Sequence, residues 1–397
     1  MRTTDVAIIG GGLAGSTAAA MLGRAGYGVV LVDPRAVYPP ELRCEKLDGT
    51  QVRILQKTGI APAILRAGTF DGASWVARFG RLVEKRPGDQ YGILYDTLVN
   101  AVRGEIPAST EFVQAKATTV AVSDDRQTIT LSNDEALSAR LIVLANGLNI
   151  GLRHALGMTR DIVSPCHSVT IAFDLTPVNR RSFPFPALTY YAERTADRLA
   201  YITLFPIGSA MRANFMVYRD MDDPWLSDMR HRPTETLHAI MPGLRRLAGD
   251  CDVVGPVKIR PADLAVTKGF LQPGIVLVGD AFSTSCPAAG TGTSKVLTDV
   301  ERLCNVHIPR WLTTKGMGVE KIAAFYDDPF KRICDAHSTA KAYHLRSLSI
   351  DDGLSWRIRR WCRFLVRLGM GAMRSARERL TMRTTGRQAA AGNRAQA

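Results

Sequence analysis

The sequence predicts an α/β protein: a parallel sheet with helices, an inserted antiparallel sheet, and C-terminal helices. Three observations predict it. Residues 5–9, 141–145 and 275–278 are short, predominantly apolar runs that end in Gly-containing turns, as buried parallel strands do. Residues 10–25 pass from a glycine loop into an Ala-, Met- and Leu-rich helical stretch. Between about 165 and 220, apolar-polar segments separated by turn signals read as antiparallel strands.

Taken in order, Asp5–Ile9 is the first strand, Gly10–Gly15 a loop, Ser16–Ala25 a helix ended by Gly26, and Val29–Val32 a second strand closed by Asp33-Pro34. This is a complete βαβ opening, of Rossmann type. Residues 50–60 read as a helix, 70–84 as a hairpin, and 95–102 as a further helix. Strands are expected at 118–122 and 128–131, then at 141–145, which leads to Asn146-Gly147. Strands at 168–173, 199–204 and 213–218 form the inserted sheet, and 275–278 returns to the first. The expected organisation is a discontinuous first domain (1–70, 90–160 and 262–330), a substrate domain (71–89 and 161–261), a helical region at 331–383, and a disordered tail at 384–397.

Composition narrows the partners. The net charge of +14 favours anionic ones. Without a stacking or groove-reading motif, nucleic acid is the poorest of these, and none is expected. The seven cysteines are scattered, with no CxxC and no metal-ligand spacing, so they read as reduced thiols and no metal is expected. Residues 5–9 are a strand and not an export segment, and no apolar run is long enough to span a bilayer; the expected location is cytoplasmic.

The glycine loop carries the chemistry. Gly10 permits the tight turn, Gly12 lets backbone approach a pyrophosphate, and Gly15 lets helix and strand pack closely. The N–H groups at the helix start, from Leu13 and Ala14, face the same phosphates. Asp33, 18 residues beyond Gly15, can accept the adenosine ribose hydroxyls, and Arg35 joins the same cofactor-binding set. A second motif, Gly279-Asp280-Ala281, is followed by Pro287, Gly290, Thr291 and Gly292 at the start of another helix.

With that second motif the chain resembles the FAD-dependent aromatic hydroxylases and ubiquinone-biosynthesis hydroxylases, over roughly residues 1–330. The resemblance implies that Asp280 binds the ribityl chain and that the 287–292 turn faces the flavin ring edge. It also implies that Arg43, ahead of the helix at 51–55, lies near the cofactor phosphates, where a guanidinium fork suits phosphate. The chain departs from the family pattern at Phe282 (often His), Asn146 (usually Asp) and Tyr95 (often Arg). The implied function is a monooxygenase that uses FAD, NADPH or NADH, and O2 to hydroxylate an aromatic, polyketide-like or prenylated small molecule through a flavin C4a-hydroperoxide. Two alternatives remain: a flavin-dependent reductase of isoprenoid double bonds, and a non-enzymatic FAD-binding accessory protein. The W-x-W-x-I-P element of flavin halogenases is missing from the sequence.

No catalytic base stands out. His154 and His167 are candidates, each also readable as a structural histidine; Tyr190 and Tyr191 line a pocket or fill a sheet face; Cys286 reads as an inert thiol. Near the C-terminus, Leu354, Ile358, Trp361, Leu365 and Leu368 share one helical face, with Arg357, Arg359, Arg360, Arg363 and Arg367 on the others. That pattern suits either a peripheral element on an anionic inner-membrane surface or a terminal helix capping the core. The sequence sets neither substrate identity nor oligomeric state.

Overall fold

The computed structural model describes residues 2–371 and 373. β1 (Arg2–Ile9) leads through the glycine loop into α1 (Leu13–Arg24), and β2 (Val29–Val32) follows. Next come β3 (Lys46–Leu47), α2 (Gly49–Gln56), α3 (Ala61–Ala67), β4 (Thr69–Phe70), β5 (Ala73–Arg78), β6 (Arg81–Pro87) and β7 (Tyr91–Gly92). α4 (Tyr95–Arg103) precedes β8 (Glu111–Val113), β9 (Ala117–Ala121), β10 (Gln127–Leu131), β11 (Ala136–Leu144) and α5 (Gly151–Ala155). β12 (Thr159–Pro177), β13 (Ala187–Tyr191), β14 (Leu199–Ile207) and β15 (Ala210–Val217) come before α6 (Pro224–His231), α7 (Pro233–Ile240) and α8 (Pro242–Ala248). β16 (Cys251–Lys268) and β17 (Ile275–Leu277) lead to α9 (Gly292–Arg302), α10 (Ile308–Leu312), α11 (Val319–Tyr326) and α12 (Pro329–Ile350). A last helix, α13, covers 354–371.

The first sheet runs β8-β2-β1-β11-β10-β9, with β17 on β11. Its centre is parallel, β1 pairing with both β2 and β11, and β17 pairing with β11. The β9 and β10 strands add an antiparallel edge. Both faces are covered. Val6, Ile8, Leu31 and Val143 pack towards α1, while Ala7, Ile9, Val30 and Leu144 pack on the other side.

The second sheet runs β16-β12-β15-β14-β13-β5-β6. Its pairs are antiparallel except β13 with β5, which is parallel and departs from the all-antiparallel expectation. Alternation gives it two faces. Ile171, Phe173, Ile202, Leu204, Ala213 and Phe215 bury against α6–α8. Thr170, Asp174, Tyr201, Thr203, Arg212 and Asn214 lie on the opposite face. Truncating a fully buried side chain such as Phe215 costs about 3–5 kcal/mol.

The helix expected at 50–60 is α2, which stops at Gln56 ahead of Gly59 with φ +74°, and a further helix, α3, follows at Ala61. The expected strand at 168–173 begins nine residues earlier, at Thr159. Helices α6–α8 and the long strand β16 were not anticipated. The tail expected to be disordered, 384–397, lies outside the described residues, as do 372 and 374–383 of the expected helical region.

Candidate functional site

The first glycine loop is shaped by close backbone contacts. Gly10 has φ +105°, and a Cβ there would stand 2.6 Å from the Ala145 carbonyl oxygen. A Cβ on Gly15 would fall 1.8 Å from the Gly10 carbonyl oxygen, so helix and loop touch only because both residues lack side chains. Gly12 differs: a Cβ there would meet only the Tyr38 ring, at 3.9 Å. Its open side is a cradle. α1 starts at this point with no side-chain cap and no acidic residue in its first turn. No N-cap side chain serves the first-turn N–H groups: the Tyr95 hydroxyl takes that of Leu13, and no acidic side chain offsets the partial positive charge of the helix start.

Asp33 closes the loop. Its carboxylate accepts from Gly11 N–H at 2.7 Å and from Arg35 N–H at 2.9 Å. Arg35 itself is exposed. Arg103, at the end of α4, donates to the carbonyls of Gly11 (2.6 Å), Arg35 (2.6 Å) and Ala36 (2.9 Å). No motif announces Arg103; its role follows from where α4 ends.

The second motif repeats this design. Gly279 has φ +60°, and its N–H donates to the buried Asp299 carboxylate at 2.9 Å. A Cβ on Gly279 would lie 3.8 Å from the Ala14 side chain, so the two glycine turns are neighbours in space. Pro287–Ala289 makes one 3₁₀ turn, Gly290 takes φ +65°, and α9 starts at Gly292 with Thr291 before it. This helix too has no side-chain cap and no acid in its first turn. The Thr291 hydroxyl bonds Ser338 at 2.7 Å, which leaves the Thr291 backbone at the helix start. Gln51, from α2, donates to the Gly290 carbonyl at 3.1 Å.

Arg43, from the segment after β2, donates to the Asp280 carboxylate of the second turn at 2.7 Å and pairs with Glu41 at 2.9 Å. Burial alone would raise the Glu41 pKa; Arg43, Tyr38 and Arg260 outweigh it and hold the carboxyl at about 2. Tyr95 packs under the Arg43 guanidinium, 5.9 Å from ring centre to Cζ, and burial pushes its hydroxyl up to about 12. The third turn, Asn146-Gly147, abuts the Gly10 loop, and Asn146 is held by its own bond to the Asn149 carbonyl at 3.1 Å. Buried Arg153 donates to Gly147 O (3.0 Å), Asn149 O (3.1 Å), Thr267 Oγ1 (2.8 Å) and Ala281 O. One guanidinium thus ties the Asn146 turn to the Asp280 turn, a link that no local pattern reveals.

The polar face of the second sheet meets this assembly. The Tyr201 hydroxyl donates to the Ala288 carbonyl. Glu45, 3% exposed, accepts from the Asn214 amide at 2.9 Å and faces Arg212 at 3.7 Å. Burial raises the Glu45 pKa, and Arg212 and Lys258 oppose that shift. A buried carboxyl with a raised pKa between the glycine turns and the sheet is suited to accepting or returning a proton. Neither spacing nor a motif marked Glu45 in the sequence.

The remaining candidates lie elsewhere. His154 is exposed on α5. His167 is fully buried, bonded to Ser164 at 3.1 Å and packed edge-on against Tyr343, and burial lowers its pKa. Tyr190 fills the helix-covered face of the sheet, whereas Tyr191 faces the other way, 5.9 Å from Tyr201. Cys286 is fully buried, and burial raises its thiol pKa.

An open glycine cradle and two helix starts without an N-cap side chain, neighbours in space, fit one long dinucleotide with a phosphate at its middle. The family model for an FAD binding domain matches residues 3–306. The chain belongs to the FAD binding domain family. This flavoprotein is an FAD-dependent oxidoreductase. It is similar to the ubiquinone hydroxylase UbiL of Rhodospirillum rubrum, 26% identical over 75% of this chain and 71% of the relative. It is also similar to the 3-demethoxyubiquinol 3-hydroxylase of Escherichia coli, 24% identical over 77% of this chain and 80% of the relative. Among solved structures, p-nitrophenol 4-monooxygenase PnpA of Pseudomonas putida has a TM-score of 0.72 at 16% identity, covering 94% of both chains. Pseudomonas aeruginosa PqsL in complex with 2-aminobenzoylacetate has a TM-score of 0.66 at 20% identity, covering 87% of this chain and 97% of PqsL. Those two likenesses concern the fold. Among the described residues no helix is long and apolar enough to cross a membrane.

Proposed function

We propose that this flavoprotein hydroxylates an aromatic, polyketide-like or prenylated small molecule held between the glycine turns and the polar face of the second sheet. In balance, substrate C–H, O2, NAD(P)H and a proton give the hydroxylated product, NAD(P)+ and water. FAD supplies hydride acceptance and oxygen activation when bound. The residues supply position. The start of α1, with Gly10, Gly12, Leu13, Ala14 and Gly15, takes the pyrophosphate. Asp33 and Arg35 take the adenosine end, Arg43 lies near the phosphates, and Asp280 with Gly279 takes the ribityl end. Pro287, Gly290, Thr291 and Gly292 put the α9 start against the ring edge, where negative charge develops on reduction.

The observation that carries the reading is the buried Glu45–Asn214–Arg212 group, where the segment before α2 meets the polar face of the second sheet and the Asn214 amide, turned with its nitrogen towards Glu45, donates to the carboxylate. Its acceptor, the Glu45 carboxylate, takes the proton of a substrate hydroxyl, and Asn214 and Arg212 fix its orientation. The test is NAD(P)H oxidation and oxygen uptake with a panel of phenols and prenylated quinols, with 18O2 and mass analysis of products. The expected result is an 18O-labelled product from at least one member. Flavin reduction with no oxygenated product overturns the reading. Turnover without oxygen favours a double-bond reductase, and bound FAD that no nicotinamide reduces favours an accessory role.

A second reading, peripheral contact with an anionic membrane, is favoured by the way α13 sits. Leu354, Ile358, Trp361 and Leu365 are 54–72% exposed, so most of the apolar face is open to solvent, with one side of the Trp361 ring resting on Phe79. Arg357, Arg359 and Arg363 flank it and are exposed. Apolar stripe and flanking cations together match a negatively charged bilayer surface. Full-length protein should float with vesicles containing phosphatidylglycerol; protein left in the soluble fraction would end this reading.

A further inference from the structure

The inward face of α13 is the basic one. Trp356, Arg360, Phe364 and Arg367, four, four and three residues apart, are its partly buried positions. Phe364 and Trp361 rest on Phe79, at the tip of the β5–β6 hairpin, with ring centres 5.6 and 6.0 Å away. Between α13 and the second sheet lies a cavity of about 60 Å³, whose walls include Arg78, Arg194, Arg360, Arg363, Arg367 and Tyr191. At roughly 10–15 Å³ for each water, it has room for about four waters or one small polyatomic anion.

The positive charge around this cavity is not balanced. Arg194 pairs with Asp197 at 2.8 Å, and Arg360 has Asp352 at 3.8 Å and the Asp351 carbonyl at 2.7 Å. Among the described residues, Arg78, Arg363 and Arg367 form no ion pair with a carboxylate. Arg78 donates through Nε to the Ala192 carbonyl at 3.0 Å, and Arg367 lies over the Tyr191 ring at 5.2 Å. Burial and then the nearby Arg360 lower the Arg78 pKa; burial and then Arg367 lower that of Arg363. A guanidinium does not shed its proton to relieve such repulsion. Cations left facing one another, Arg78 and Arg367 partly buried and Arg363 at the exposed rim, call for a counter-charge from outside the chain.

We propose that this cavity is a binding site for a phosphate group, gripped by the forks of Arg78, Arg363 and Arg367. Three forks outnumber the two oxygens of a carboxylate but match the several oxygens of a phosphate. The phosphate comes either as the free ion or as the headgroup of an anionic lipid under the outward apolar ridge. The site stands apart from the FAD-binding residues and does not depend on the oxygenase reading.

The test uses the full chain and two double variants of equal charge loss. Arg363→Gln/Arg367→Gln empties the cavity wall, and Arg357→Gln/Arg359→Gln strips the exposed flank. Each is titrated with inorganic phosphate by calorimetry, and with phosphatidylcholine vesicles with and without phosphatidylglycerol. For at least one of the two phosphate sources, binding should weaken tenfold or more in the cavity variant and less than threefold in the flank variant. Binding of inorganic phosphate identifies the free ion; binding only of the phosphatidylglycerol vesicles identifies the lipid. Equal losses in both variants, or no binding of either source by the unmodified chain, overturn the proposal. FAD content, measured on each preparation, shows that the variants are folded. Arg367→Lys, which keeps the charge but not the fork, should fall between the unmodified chain and the cavity variant.

Discussion

The Arg43 guanidinium donates to the Asp280 carboxylate at 2.7 Å across 237 positions of sequence. This pair ties the segment that follows β2 to the second glycine turn of the proposed cofactor site. Arg43→Ala and Asp280→Ala should each weaken FAD binding about tenfold to hundredfold, or about 1.4–2.8 kcal/mol. The double variant should lose less than the sum, because the two residues act through one contact. Fluorescence titration of deflavinated protein with FAD measures all three. Fully additive losses would show that the pair is not a unit.

Gly12 and Gly15 should separate binding from folding. Gly12→Ala adds a methyl group that meets nothing in the protein nearer than 3.9 Å. Its unfolding free energy should stay within about 0.5–1 kcal/mol of the parent, the latter figure allowing for backbone effects at the cap, while FAD is lost. Gly15→Ala puts the methyl 1.8 Å from a backbone oxygen and should yield little folded protein. Thermal unfolding of the apoproteins, with flavin content after reconstitution, distinguishes the two outcomes.

Glu45→Gln should leave FAD content intact and cut kcat/KM, by the factor of about 10²–10⁴ expected for a lost proton acceptor. Burial raises the Glu45 pKa, so the acid limb of the kcat/KM profile should lie above the ordinary carboxylate range and vanish in the variant. An unchanged pH profile would reduce Glu45 to a buried structural group.

Asp328 should govern acid stability near the C-terminal helices. It caps α12 and accepts from Arg302 at 2.9 Å and from His307 at 3.0 Å. Burial opposes ionisation, yet the bonds from Arg302 and His307 hold the carboxyl at about 2, below its usual 3.8. A depressed carboxyl stabilises the folded state above its unfolded pKa and loses that contribution as pH falls from about 4 to about 2. The amount is on the order of 2 kcal/mol. Denaturant melts from pH 6 to pH 2 should show the loss, and Asp328→Asn, which keeps a capping oxygen, should flatten it.

Much of the fold is legible in the sequence because the buried parallel strands are short apolar runs, and because Gly10, Gly12 and Gly15 sit where backbone contact forbids or opens space. What escaped has identifiable causes. Each of α6, α7 and α8 begins with a proline, Pro224, Pro233 and Pro242, a start signal that the strand-rich reading of the region passed over. β16 contains Pro256 and Pro261, which argue against a central strand; it is an edge strand, where a missing N–H costs little. Arg103, Arg153 and Glu45 act through carbonyls and amides far away in sequence, so no window of neighbouring residues contains their partners. The C-terminal helix shows amphipathicity without direction: the pattern identified its apolar and basic positions, and only packing shows that Arg360 and Arg367 turn inward while Arg357, Arg359 and Arg363 stay exposed.

The long strands β12 and β16 have a further consequence. Thr159 at the start of one is opposite Lys268 at the end of the other, so the chain departs and comes back at the same place. To the α/β host, more than a hundred spliced residues cost about as much closure entropy as a tight turn. A cassette joined in this way can be lengthened, shortened or exchanged over evolutionary time without disturbing the nucleotide grip beneath it.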